Sequence, residues 1–275
     1  MDFSEGAVFL ASALFAVVFY FRWYRFILSA SRIKRNAFAR TALGLMPVMS
    51  LAIVLYALMT LASFDVEGFW VFFYMLVGVA WLYFGIFLMF FFFDLSWIDD
   101  ALNMNNSAAA IAIAGGGLGV TLIYAGANVG DGPGWWCVFL AGALGMIAWV
   151  VLGVLANAIA KIFKRITANR DIFCGARTGA YLVSSGIILG RACAGDWTSF
   201  PKTVVEFGDG WPVLLLTAAF VLAELFFITS EKQNQQSDKT AKWLLTLILC
   251  AAYISAAVFA LIILPPLPVN PIYGQ

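Results

Sequence analysis

The chain has 275 residues, of which 63% are apolar and 11% charged; its formal net charge is +1 and its mean hydropathy +0.94. This balance excludes a water-soluble globular domain and a disordered chain, and leaves an integral membrane protein whose solvent is mostly lipid.

Eight apolar runs follow in order, at residues 6–28, 41–63, 68–93, 107–127, 135–163, 177–195, 211–230 and 243–264. At about 1.5 Å per residue each reaches across a hydrocarbon core of about 30 Å. A backbone in lipid must satisfy its own hydrogen bonds, so the runs are expected to be helices of an all-α polytopic transmembrane bundle. The connecting segments are short and leave no room for a soluble domain.

Span one is preceded by Asp2 and Glu5 and followed by basic residues, the reverse of a cleavable signal peptide, so it is expected to remain as an anchor helix. Span three carries thirteen aromatic residues between Phe69 and Phe93, including Trp70, Trp81 and the run Phe90 to Phe93. That bulk places it at the lipid-facing periphery or against a partner subunit. Spans four and six are the opposite kind of helix. The rows Ala108/Ala112/Gly116, Gly115/Gly119 and Gly186/Gly190/Ala194 are small-residue stripes that let two backbones approach closely. Either they simply pack, or Gly115, Gly116 and Gly117 form an unwound point that lines a pathway. The tail after span eight contains Pro265, Pro266, Pro268 and Pro271 and is expected to be extended.

The basic residues set the orientation. Arg22, Arg25, Arg32, Lys34, Arg35 and Arg40 lie at the facing ends of spans one and two or between them; Lys161, Lys164, Arg165, Arg170 and Arg177 likewise at spans five and six; Lys232, Lys239 and Lys242 between seven and eight. Only Arg191 and Lys202 fall on the other side. The positive-inside rule then makes the three basic segments cytoplasmic and puts both termini outside. Asp2, Glu5, Asp65, Glu67, Asp131, Asp196, Glu206 and Asp209 give the outer face an acidic sign, which either concentrates cations or merely reflects the exclusion of Lys and Arg.

Glu224 sits within the apolar stretch of span seven, where an ionised carboxylate costs about 2.5 to 3.5 kcal/mol on insertion scales. It must be neutral or partnered, and Arg177 on the antiparallel span six lies at similar depth. Asn106 and Asn157 face the same half of the bilayer. Two readings stand: an ion pair pinning span seven to span six, or a polar inner vestibule that binds a cation or carries protons. Arg191 is expected to snorkel or to pair with Asp196.

The chain has no His and no HExxH, Walker-type or CxxC pattern, so catalytic sites, metals and cofactors are not expected. Cys137 and Cys193 lie near the same end of consecutive spans and could pair, whereas Cys174 faces the cytoplasm and Cys250 packs as a small apolar residue.

Shifting the sequence by 71 residues lays 106–119 over 177–190, with Ser107 on Thr178, Gly115 on Gly186 and Gly119 on Gly190, and a Gly-Asp-Gly loop follows each. The inner ends of spans two, four, six and eight all carry Ser or Thr followed by a small residue. Tandem two-helix repeats explain both features; helix N-caps alone explain the second. Residues Asn105, Asn106, Ser107, Ala108 and Ala109, then Gly116, Leu118 and Gly119, followed later by Thr178, Gly179, Ala180, Gly190 and Trp197, resemble the YjfL-type family of bacterial inner-membrane proteins. Arg177 and Arg191 depart from that family's second signature. The resemblance covers about 68–197 and implies a four-span domain of unknown function in a bacterial inner membrane. The chain then divides into an N-terminal hairpin (1–66), a four-helix core (67–198) and a C-terminal hairpin with an external tail (199–275).

Three function classes follow. A permeation protein, channel or transporter, is favoured by the repeats, Glu224 and the glycine-rich span four. A non-catalytic scaffold or accessory subunit, as a homo-oligomer or with partner membrane subunits, is favoured by span three and the short loops. An enzyme is disfavoured, because no nucleophile and base stand together. The lipid bilayer is the expected partner in every case, and nucleic acid is not. Cysteine accessibility labelling is expected to place residues 29–40, 164–176 and 231–242 on the cytoplasmic side and Asp131, Glu206 and Tyr273 outside. Labelling of Tyr273→Cys from the cytoplasm alone is incompatible with eight spans.

Overall fold

The structure, a computed structural model, describes residues 2–32, 37–233 and 239–272; Lys34, Arg35 and Tyr273, named above, lie outside that range. The spanning helices are α1 (Phe3–Arg32), α2 (Ala37–Thr60), α3 (Phe69–Phe93), α4 (Ser107–Ala127), α5 (Trp135–Ala160), α7 (Ile172–Cys193), α9 (Pro212–Gln233) and α10 (Lys239–Ile263). Short helices α6 (Ile162–Thr167) and α8 (Phe200–Glu206), a π-helical segment (Trp97–Asn103) and a 3-10 turn (Phe207–Gly210) fill the connections. All eight long helices are apolar and long enough to cross a membrane, so the all-α, multi-pass expectation holds.

Local chemistry explains several boundaries. Pro47 lies inside α2, where its missing N–H leaves the Leu43 carbonyl without its helical donor. The Trp23 indole of α1 donates to that carbonyl at 2.9 Å, and the Tyr24 hydroxyl donates to Gly44 at 3.0 Å, so α1 repairs the defect in α2. Helix α5 stops three residues short of the expected Phe163, because Lys161 turns left-handed (φ 48°) and the Asn157 side chain accepts from the Phe163 N–H at 2.9 Å. Helix α7 begins five residues before the expected Arg177, because the Asp171 carboxylate caps the N–H groups of Phe173 and Cys174 at 3.0 and 3.1 Å.

Helices α4 and α7 run parallel at the centre with their backbones in contact. A Cβ built on Gly115 would stand 2.5 Å from the Gly179 carbonyl oxygen; one on Gly186, 2.5 Å from the Gly119 Cα; one on Gly190, 2.5 Å from the Leu122 carbonyl oxygen. At Gly119 and Gly126 the facing carbonyls of Leu182 and Gly190 are closer still. Only glycine fits there. Ala108 faces Gly175 in the same seam, and Ala112 is wholly buried. Gly116 faces Met89 of α3 instead, and Gly117 faces Met46 of α2. The three glycines stay within an unbroken helix, so the unwound-point expectation fails: their missing side chains make room for three neighbouring helices.

The spatial register of this pair differs from the sequence match. The N-caps Asn106 and Asp171, and the left-handed turn residues Gly130 and Gly195, both stand 65 positions apart rather than 71. The two turns also bond to each other: Gly195 N–H donates to Val129 at 2.9 Å and Trp197 N–H to Asp131 at 2.7 Å. Asp171, which the 71-residue alignment leaves outside the helix, fixes where α7 begins.

Helix α3 corrects a second expectation. Phe73, Val77, Trp81, Met89 and Phe93 are buried, while Phe84, Phe87, Phe90 and Phe91 are exposed. Its own glycines permit this: Gly85 receives the Val120 side chain and Gly78 the Tyr124 ring, and Phe93 stacks on Phe163 at 4.6 Å. The Pro-rich tail is extended but strapped down, with Asp196 N–H donating to Pro268 at 2.9 Å and the Asn270 side-chain amide to Trp197 at 2.7 Å.

Gly119→Leu or Gly190→Leu is expected to destabilise the bundle by about 3 kcal/mol or more, since overpacking here meets backbone. Phe91→Leu, at an exposed site, should change stability by about 0.5 kcal/mol at most. Thermal melts of the three variants in detergent measure the difference, and equal melting temperatures would show that the glycine seam is not an interface.

Candidate functional site

Glu224 of α9 is fully buried, and three N–H groups from two arginines reach its carboxylate. Arg177 of α7 binds it as a fork, Nε to Oε1 at 2.5 Å and Nη2 to Oε2 at 2.9 Å. Its remaining Nη1 donates to Thr246 Oγ1 of α10 at 3.1 Å, and the guanidinium lies 3.8 Å over the Phe227 ring. Arg165 of α6 donates to Glu224 Oε2 and to Asp171 Oδ2, both at 2.7 Å. Burial works against the Arg165 charge, but Glu224 and Asp171 beside it raise its pKa above the ordinary guanidinium value. Two cations and two anions therefore neutralise one another, and α6, α7, α9 and α10 meet at this point.

The structure brings Glu224 and Arg177 together and leaves the two asparagines out. Asn106 caps α4 with its carbonyl, accepting from Ala108 and Ala109, while its amide donates to Ile166 at 2.7 Å. Asn157 shapes the α5–α6 corner, as described above. Both order helix ends, and their bonds go to backbone. Arg165, Asp171 and Thr246 were not anticipated. An Asp directly before a helix-forming run is a legible N-cap, but nothing in the sequence shows that Arg165 turns inward from a basic loop. Arg191 bonds to the Pro265 carbonyl and not to Asp196, whose carboxylate instead accepts from the N–H groups of Asp131 at 2.8 Å and Asn270 at 2.9 Å.

At the opposite end of the bundle is a cavity of about 200 Å³. It lies between the start of α1, the α2–α3 and α4–α5 loops, the end of α7, and α8. Glu5, Asp65, Asp131, Asp196 and Glu206 reach it, with Trp70, Tyr74, Trp135 and Trp197 in its wall. Glu206 pairs with Lys202 at 3.8 Å. Among the described residues, the Asp65 and Asp131 carboxylates accept no hydrogen bond and form no ion pair. Cys137 and Cys193 also line the cavity as free thiols; Cys193 Sγ donates to the Ala141 carbonyl at 3.1 Å.

Residues 63–193 match the family described as Domain of Unknown Function (DUF350). The match agrees with the YjfL-type resemblance and runs from the loop after α2 to the end of α7. No curated protein and no solved structure matches the chain. The DUF350 segment supplies Arg165, Asp171 and Arg177, while Glu224 and Thr246 come from the helices beyond it, so the charge cluster fastens the C-terminal hairpin to that segment.

Glu224→Gln should strand two buried guanidiniums against one carboxylate and cost about 3 to 5 kcal/mol, with part of the loss recovered on adding Arg177→Gln. Thermal stability of the two single variants and the double variant measures this. Unchanged stability in Glu224→Gln would show that the cluster does not hold α9 in place.

Proposed function

We propose that the chain is a non-enzymatic membrane protein of permeation type that takes cations from its acidic face, with the acidic cavity as its recognition element in place of a vestibule around Glu224. The contrast between the two groups of carboxylates carries this reading. Both oxygens of Glu224 are already engaged by guanidinium N–H groups, whereas Asp65 and Asp131 line a cavity and form no ion pair among the described residues. A concave wall of one sign raises the local concentration of counter-ions, within a screening distance of about 8 Å at physiological salt. In a bacterial inner membrane with the basic loops inside, this cavity opens to the periplasm.

A second reading, a non-catalytic scaffold or accessory subunit, is favoured by the contact between α4 and α7, which fills the bundle centre with backbone. One experiment separates the two. Protein-containing liposomes should release rubidium faster than protein-free ones, and Asp65→Asn combined with Asp131→Asn should reduce the rate several-fold. Flux equal to that of empty liposomes, from protein whose native mass shows an oligomer or a bound partner, would replace permeation with the scaffold reading.

A further inference from the structure

We infer that the acidic cavity recognises a small organic ammonium ion, an inference that rests on the cation-uptake reading and names its substrate class. Three features of the cavity point there. Its carboxylates do not form a chelating set: among the described residues no group of three or more His, Cys, Asp or Glu side chains could hold a metal ion. A divalent cation such as calcium takes six to eight oxygen ligands at about 2.3 to 2.6 Å, and a scattered set cannot supply them. The volume of about 200 Å³ is also larger than a bare ion fills and admits a cation carrying several carbon atoms.

The wall chemistry is the third and most specific feature. Trp70 and Tyr74 come from the first turns of α3, Trp135 from the start of α5 and Trp197 from the segment after α7, so aromatic rings enter from three separate parts of the chain. Lipid anchoring alone does not require them to border a common cavity. Indole and phenol rings attract alkylammonium ions through their negative faces, and they do so most strongly where the cation has shed its water. Asp65 and Asp131, exposed and half-buried respectively, supply the neutralising charge, and among the described residues neither carboxylate is committed elsewhere. The Asp131 backbone is held by the paired turns while its carboxylate is not, so the group is positioned and still open to a ligand.

Tetramethylammonium is the probe, added to the purified full-length chain in maltoside detergent and followed by saturation-transfer NMR, with tert-butanol as the neutral isostere. The expected result is saturable transfer to tetramethylammonium and none to tert-butanol. Transfer should be lost in the Asp65→Asn/Asp131→Asn double variant, and Kd should rise on the order of threefold or more in Trp70→Leu and in Trp135→Leu separately. Elution volume and melting temperature identify any variant that has not folded, and the second tryptophan variant then carries the test. Saturable binding that both folded tryptophan variants leave unchanged would overturn the assignment. If the wild-type chain conducts rubidium but does not bind tetramethylammonium, the ammonium inference falls and the cation reading stands. If it does neither, both fall.

Discussion

Backbone contact between α4 and α7 is the constraint from which the rest of the bundle follows. In lipid there is no hydrophobic force between helices, so association depends on close packing and on polar contacts. The glycines at 115, 119, 126, 175, 179, 186 and 190 bring two main chains together along most of their length. The remaining glycines of α4 then admit α2 and α3 through Met46 and Met89. The same logic moves α3 inward, since Gly78 and Gly85 accept side chains of α4 and leave the bulky phenylalanines to the opposite face.

Polar groups finish what packing begins, and at each place they do so by meeting a backbone or charge requirement that the helix alone leaves open. The Leu43 carbonyl freed by Pro47 takes the Trp23 indole; the N-terminal ends of α4 and α7 take Asn106 and Asp171; the paired turns after α4 and α7 take Asp196. The Arg165, Arg177, Glu224 and Asp171 cluster is the largest of these arrangements. Removing its charges from water is costly, and the fork geometry and further donors offset that cost. The cluster ties α9 to α6 and α7 at one point, beside the Tyr181–Thr217 hydrogen bond and the Tyr181–Phe220 stack that join the same two helices, α7 and α9.

The two ends of the molecule use carboxylates in opposite ways. Around Glu224 every oxygen is committed, so that end is a fastening. Around Asp65 and Asp131 the carboxylates border open space among aromatic rings, the arrangement on which the proposed recognition rests. Residues from outside the DUF350 segment complete both ends, Glu224 and Thr246 at one and Trp197 and Glu206 at the other.

The sequence by itself determined the spans, because twenty-residue apolar runs have no stable alternative to a helix in lipid, and it marked Glu224 as a residue that must find a partner. It also showed the small-residue stripes, since spacing along a helix is a property of the chain. The tertiary structure alone decided which neighbours those stripes meet and in what register, because a repeat of small residues fits itself at several offsets and the caps at Asn106 and Asp171 select one. It decided that Arg165 turns inward from a basic loop and that aromatic residues from three distant parts of the chain share one cavity. These are relations between separate helices, set by packing across the bundle, and no local pattern in the chain encodes them.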